Sequence, residues 1–431
     1  MKQRLAYVGT LMTLILAFAC SPTKSTEGES SDPASDGGGG GGGATDASGG
    51  GDTDASGTQG PLATSCSTGT LFAGNPLYDG QPNDRPAPGT GIHADPPLQW
   101  QNLVFVGNTL YTRDTGELWA VDTSAESPVE NLVAGKNPAG ADYSFAAGPC
   151  ATARFGWIKG IAPLADGSLV VSDGLANAVL HVKDPTGPTC TVEYWAGNMT
   201  PATDLDPTAP PNAGDQDGPG ASAKFSNPGP IVTDEAGNAY VYDSELGKIK
   251  KIANDADHTV STLGGRKIDG PTAIRNMTRI GSKLYAIGDD SSQTWVLEID
   301  TTNGAVRTVI QGGNDTFPPI DSASSLPLHG LTTDGTGLIV SGQGYVWYLT
   351  TSGQLTHIAG NGTRHIDFPT SGYDPKSSHP AKELELPGSV SAPDPAQVVG
   401  SFEFITYDKG ALYVRGHGDG TAAFVERIAC P

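Results

Sequence analysis

Five cysteines and eight histidines are the side chains here best able to do covalent or metal chemistry, so their spacing comes first. The histidines (His93, His181, His258, His329, His357, His365, His379 and His417) are scattered, with no HExxH and no paired CxxC. A zinc site needs three or four donors that converge, which this spacing does not supply locally. No G-x-S-x-G elbow, no G-x-x-x-x-G-K-[ST] loop and no strand–glycine–helix fingerprint occurs, so acyl transfer and nucleotide binding lack their usual signals. Asp215-Gln216-Asp217-Gly218 opens like a calcium loop. However, Pro219 stands where a third carboxylate belongs, and Ser226 where the closing Glu would be. Asp204 and Asp206 could add oxygen donors. Calcium or zinc is therefore left open without a defined ligand set, and no organic cofactor is implied.

The formal charge is −22, from 47 acidic against 25 basic residues. Phosphate recognition needs a concentrated Lys/Arg surface, so nucleic-acid binding is excluded as an expectation. Adhesion to anionic lipid through a basic patch is excluded on the same ground. Glycine reaches 59 of the 431 residues while only 17 % are charged, a balance that points to many short strands joined by turns.

Those strands are legible as a repeat. Residues 214–265 read as four short strands at 229–233, 239–243, 248–253 and 259–264, with turn signals such as Asp234 and Gly237-Asn238 between them. Second strands recur at 110–114, 169–173, 239–243, 284–288, 338–342 and 412–416. Third strands recur at 117–122, 178–183, 248–253, 294–299, 345–350 and 423–429. Five fourth strands end on a small-residue stop (132–135, 194–197, 262–265, 309–313 and 357–360), and the sixth copy runs out of chain. Its missing piece stands at the other end, at 68–75. That displacement predicts a closed ring, in which the N-terminal strand completes the last four-stranded antiparallel blade and no edge is left bare. The expectation is an all-β, six-bladed β-propeller over 66–431.

The copies resemble NHL repeats, with a Gly/Asp/Ala-rich lead-in, a Phe, a strand, a glycine turn and a second strand ending in Asp. Gly214 to Asp243 matches well, and Gly148 to Asp173 nearly as well. Phe155 and Phe225, at one repeat position, are expected to plug the space between blades. Tyr111, Tyr240, Tyr285 and Tyr413, in second strands, are expected to pack. Six-bladed propellers similar to this one include lactonase-type and lyase-type enzymes with a metal at the channel mouth. That resemblance directs attention to inner-strand starts, where Asn102, Asn276, His329 and Glu403 are the candidate ligands; they form no motif. Insertions at 76–98, 136–148, 198–213 and 361–397 each precede a first strand and are expected to carry recognition from one face.

The N-terminus reads as an address. Lys2 and Arg4 precede an apolar run too short to span a membrane as a mature helix. It ends at Ala17-Phe18-Ala19-Cys20, which resembles the lipobox of bacterial lipoproteins. The resemblance implies a signal peptide over 1–19, lipidation of Cys20, and export to a bacterial membrane, the outer membrane or cell surface, with the lipid as the only membrane contact. Residues 21–60 hold no Val, Ile, Leu, Met or aromatic side chain and include seven consecutive glycines, so 20–65 is expected to be a disordered tether.

An exported setting is oxidising, and four cysteines remain. The blade alignment selects Cys66–Cys430 across the ring closure and Cys150–Cys190 within blade 2, because the other pairings would join different blades. The functional expectation is a monomeric envelope binding module acting through loops on one face, with a protein, a glycan or a small envelope ligand as partner. The alternative is a metal-dependent lactonase-like hydrolase or lyase at the channel mouth.

Overall fold

The computed structural model describes residues 66, 68–74, 101–124, 129–135, 143–202, 205–206, 209–290, 293–312, 328–342, 345–359, 379–380, 404–417 and 423–430. The signal peptide, the tether, Cys20, Asp204, His93, His365 and Glu403 lie outside them, as do the side chains of His379 and His417. Among the described residues the secondary structure is β, apart from one 3-10 turn at Leu263–Gly265.

Six antiparallel meanders follow one another, each running inner, second, third and outer strand. Blade 1 comprises Gln101–Val106, Thr109–Asp114, Glu117–Asp122 and Val129–Ala134. Blade 2 comprises Ile158–Pro163, Leu169–Asp173, Ala178–Lys183 and Thr191–Gly197. Blade 3 comprises Pro228–Thr233, Ala239–Asp243, Lys248–Ile252 and Val260–Thr262. Blade 4 comprises Ala273–Ile280, Lys283–Asp289, Thr294–Asp300 and Val306–Gly312. Blade 5 comprises Gly330–Thr333, Leu338–Gly342, Tyr345–Leu349 and Leu355–Ala359. Blade 6 comprises Ile405–Asp408, Ala411–His417 and Ala423–Ala429, and the N-terminal strand Thr68–Gly74 pairs antiparallel with the last of these.

Two blades carry a fifth, two-residue strand. Gly148–Pro149 pairs with the outer strand of blade 2, and His379–Pro380 pairs with Thr68–Gly74 of blade 6. Both pieces belong to or adjoin insertions expected to project from one face; these parts lie along the outer edges instead. In blade 3 the expected fourth strand at 259–264 is cut short, because Leu263 begins the 3-10 turn, where Gly264 has φ +64.

The apolar core is divided into six clusters, each drawn from two neighbouring blades. Tyr111, Leu118 and Ala120 of blade 1 pack with Ile161, Val171 and Leu180 of blade 2. At the closing seam Leu103, Leu110 and Val121 of blade 1 meet Tyr413 and Val425 of blade 6. Phe155 and Phe225 are buried among residues of blades 1 and 2 and of blades 2 and 3 respectively, and the four second-strand tyrosines are buried too. Gly160 marks how closely inner strands approach: a Cβ there would sit 2.9 Å from the Gly229 carbonyl oxygen of the next blade.

The cysteines are bonded as Cys66–Cys430, with Cα atoms 4.1 Å apart, and Cys150–Cys190, with Cα atoms 5.4 Å apart. They span 364 and 40 residues. Chain entropy assigns these loops about 6 and about 4 kcal/mol as upper figures. The paired Cys66→Ser/Cys430→Ser variant should therefore melt at lower temperature than Cys150→Ser/Cys190→Ser, both below the parent. Equal melting temperatures for the two variants in calorimetry would show that the ring seam does not depend on the long staple.

Candidate functional site

The inner strands surround a channel of about 430 Å³. Thr278, Thr332 and Thr406 line it from blades 4 to 6, and Val104, Pro163 and Val232 from blades 1 to 3. The wall is mixed all round, with Asn102, Thr233, Asp234 and Glu235 from blades 1 and 3 and Leu331 and Ile405 from blades 5 and 6. In a meander the outer strand ends on the face where the next inner strand starts, and the second strand ends there as well. That face therefore gathers inner-strand starts, second-strand ends and the lead-in segments 143–157 and 198–227.

Second strands of blades 2 and 3 end in Asp173 and Asp243, both fully buried. Asp173 accepts hydrogen bonds from the backbone N–H of Gly156 (2.7 Å), Trp157 (2.9 Å) and Ala176 (2.9 Å). Burial raises its carboxyl pKa and those amides pull it back. Asp243 accepts from Ser226 N–H at 2.8 Å, and burial pushes its pKa up to about 7. These carboxylates fasten each lead-in segment to its blade, so the motif's terminal Asp positions the chain beside the channel rather than acting on a ligand.

Asp173 thereby fixes Trp157 and, two residues on, Lys159. The Lys159 ammonium lies 3.5 Å from the Trp157 ring centroid, and its stem passes over Gly174, where a Cβ would meet Lys159 Cγ at 2.7 Å. Trp157 is 38 % exposed, one of two large apolar side chains so placed among the described residues. Burial, and then the Arg113 charge from blade 1, lower the Lys159 pKa to about 8, while Asp173 opposes the shift. Arg113 is buried and donates from Nε to Asn102 Oδ1 at 3.0 Å. It stands one place before the end of its second strand, where blade 2 has Ser172, whose hydroxyl reaches the Gly229 carbonyl of the next blade at 2.6 Å. Blade 6 has Arg415 at the matching repeat position, buried, its guanidinium 5.9 Å from the Phe404 ring of the same blade. Around the same mouth, Arg275 of blade 4 pairs with Asp289 at 2.8 Å. Burial and the Arg275 charge push His329 down to about 3, so its imidazole is neutral near pH 7.

The expected metal ligands do not converge. Asn102 is bound to Arg113, Asn276 Oδ1 accepts from its neighbour Met277 N–H at 2.8 Å, His329 faces a cation, and Glu403 lies outside the described residues. Among the described residues no three His, Cys, Asp or Glu are grouped to share an ion. Asp215 and Asp217 clasp the fully buried Lys250 at 3.1 and 3.2 Å, and Asp217 also accepts from Thr262 N–H at 2.7 Å. The carboxylates that open like a calcium loop are thus spent within blade 3. Asp166, Ser168 and His181 look like a triad but run in the wrong order. Ser168 donates its proton to Asp166 at 2.5 Å, so His181 Nε2, 2.7 Å away, must donate to Ser168 and cannot act as its base.

Lys159, Trp157, Arg113 and Arg415 escape a sequence search aimed at metal donors. The available signal was the lysine near the start of one inner strand, together with an arginine shared by LYTRD and LYVRG at one repeat position.

No family model matches the chain, and no curated protein does. Among solved structures it is similar to a protein of unknown function from Bacteroides thetaiotaomicron (13% identity, TM-score 0.51, covering 84% of this chain and 75% of that one). It is also similar to an auxiliary nutrient binding protein from Bacteroides ovatus (13% identity, TM-score 0.51, 85% and 77% covered). A virginiamycin B lyase from Staphylococcus aureus aligns with 9% identity and TM-score 0.40, over 84% of this chain and 98% of that one. At these identities the likeness shows the β-propeller fold alone.

Two outcomes follow from the geometry. Asp173→Asn keeps one acceptor but turns an amide N–H₂ toward backbone donors, so it should cost about 2 kcal/mol and shift Trp157 fluorescence. Unchanged emission and stability would show that Asp173 does not hold the lead-in. Lys159 should titrate near pH 8 in pH-resolved amine acylation, and Arg113→Gln should raise that midpoint only in part, since burial is the larger cause. A midpoint near that of the other lysines would contradict the buried placement.

Proposed function

We propose that this chain is an exported, lipid-anchored envelope propeller that binds a ligand at the face where its inner strands start. The observation that carries the reading is the mouth itself. Asp173 holds the exposed Trp157 there beside Lys159, and Arg113 of the neighbouring blade donates to Asn102, in a chain of net charge −22. Rigid strands presenting cations beside an aromatic ring suit recognition, and the described residues bring no nucleophile together with a base. The NHL-like repeat and the lipobox-like Cys20 support the envelope setting. One structural neighbour, an auxiliary nutrient binding protein, is of the same broad class.

The test uses the full chain in membranes and in detergent. Cys20→Ala should move the protein into the soluble fraction, since lipid chains supply the attachment. A panel of glycans, peptides and small envelope metabolites should yield a thermal-shift hit that Trp157→Ala abolishes. Metal analysis decides against the reading if one tightly bound divalent ion per chain is found, its chelation lowers the melting temperature, and lactone substrates turn over.

A further inference from the structure

The channel has a pattern of its own, separate from the rim beside Trp157. Six inner-strand residues stand at one register, each paired with Tyr111 or its counterpart in the second strand: Val104, Ala162, Val232, Thr278, Thr332 and Thr406. All six line the cavity. At this register blades 1 to 3 bring aliphatic groups, and blades 4 to 6 bring hydroxyls. The residue before it is apolar in every blade, from Leu103 to Ile405, and is buried in the clusters between blades. One residue further on, Thr233 donates to the Pro163 carbonyl oxygen and Thr333 to that of Gly337. The hydroxyls of Thr278, Thr332 and Thr406 take no such partner from the described residues. A cavity hydroxyl without a protein partner is satisfied by water or by a ligand.

Two carboxamides stand where the strands start. Asn102 and Asn276 lie at β-bulges of blades 1 and 4, which are three apart in a ring of six, so they line opposite walls. Each Oδ1 is taken, by Arg113 Nε at 3.0 Å and by Met277 N–H at 2.8 Å, which leaves each N–H₂ as a donor. The charged side chains lining the cavity are Asp234, Glu235 and Arg279, all toward the strand ends. Arg279 pairs with Glu235 at 2.5 Å and donates to the Thr233 carbonyl oxygen at 2.9 Å. Asp234 accepts from Asn238 N–H at 2.8 Å and from the Tyr240 hydroxyl at 3.1 Å. A charged ligand would therefore lose its water and meet no charge left to pair with it. The occupant that fits is neutral and compact, with hydroxyls on its edge and an apolar face. About 430 Å³ lies toward the lower end of the roughly 300–1,000 Å³ of small-molecule sites. We propose that the channel binds a neutral hexopyranose, its hydroxyls on the three threonines and two carboxamides, its C–H face toward Val104, Ala162 and Val232. The proposal goes beyond the mouth reading, since Trp157, Lys159 and Arg113 do not line this cavity.

Isothermal titration of the full chain with glucose, galactose and mannose at pH 7 is the test, with glucuronate, galacturonate and glucosamine as charged comparisons. At least one neutral hexose should bind, about tenfold or more tighter than the charged sugars. Thr332→Val keeps the side-chain shape without the hydroxyl and should weaken that hexose roughly two- to tenfold, as expected for one lost hydrogen bond. Asn276→Asp keeps the acceptor for Met277 N–H and removes the N–H₂ donor, so it should weaken binding at least as much. Trp157→Ala should leave the hexose affinity unchanged. The comparison of neutral and charged sugars on the parent chain needs no variant to fold. Binding of none of the three hexoses, or equal binding of a charged sugar, would overturn the proposal. A hexose that binds Thr332→Val and Asn276→Asp as it binds the parent would show that the channel is not its site. Loss of the hexose in Trp157→Ala would move the sugar to the mouth, where the binding-module reading stands and the channel proposal fails.

Discussion

Everything in this structure depends on the burial of one blade's apolar face against the next. Among the described residues each of the six apolar clusters is shared by two neighbouring blades, including the one that joins blade 6 to blade 1. A four-stranded sheet with two apolar faces is stable only when both are covered, which a ring achieves for every member at once. The N-terminal strand and the Cys66–Cys430 bond are consequences of that demand. The seam is the one place where chain continuity does not hold neighbours together, so pairing and a covalent link do so instead.

A ring made rigid in this way can hold charges where water would otherwise solvate them. The inner strands approach each other closely, as at Gly160, and leave a narrow channel rather than a packed axis. The buried Asp173 and Asp243 then tie the lead-in segments to the rim through backbone amides. Six-fold repetition would predict equivalent rim positions. The sequence breaks that equivalence, with arginine at one repeat position in blades 6 and 1 but serine in blades 2 and 5. Function in such a ring resides in the departures from the repeat, because the repeated residues are occupied in holding blades together.

The strands were legible because each is bracketed by turn chemistry and closes on small residues, signals that act locally. The ring closure was legible too, since a missing outer strand at one end and a lone strand at the other admit few arrangements. The edge strands at Gly148–Pro149 and His379–Pro380 were not, because two residues have no periodicity to read. At the site, the residues weighed as metal ligands were those with oxygen or imidazole donors, and the structure occupies Asn102 and Asn276 with neighbours. Lys159 and Arg113 lie 46 positions apart by number, and only packing of adjacent blades brings their charges to bear on each other. A sequence can announce a strand locally, but it announces a pair of cations across a blade interface only through the fold.

The contrast between the whole chain and its mouth narrows what can bind. A net charge of −22 repels polyanions at long range, although salt confines that field to roughly 8 Å. At the mouth cation and carboxylate are held together, as Arg275 is with Asp289, and at that range their fixed placement outweighs the distant field. A ligand with many negative charges spread along its length meets the repulsion everywhere except at one end. A small ligand with a single charge meets it once. The net acidity of the chain thus discriminates against extended polyanions by their length, while the rim discriminates only at contact range.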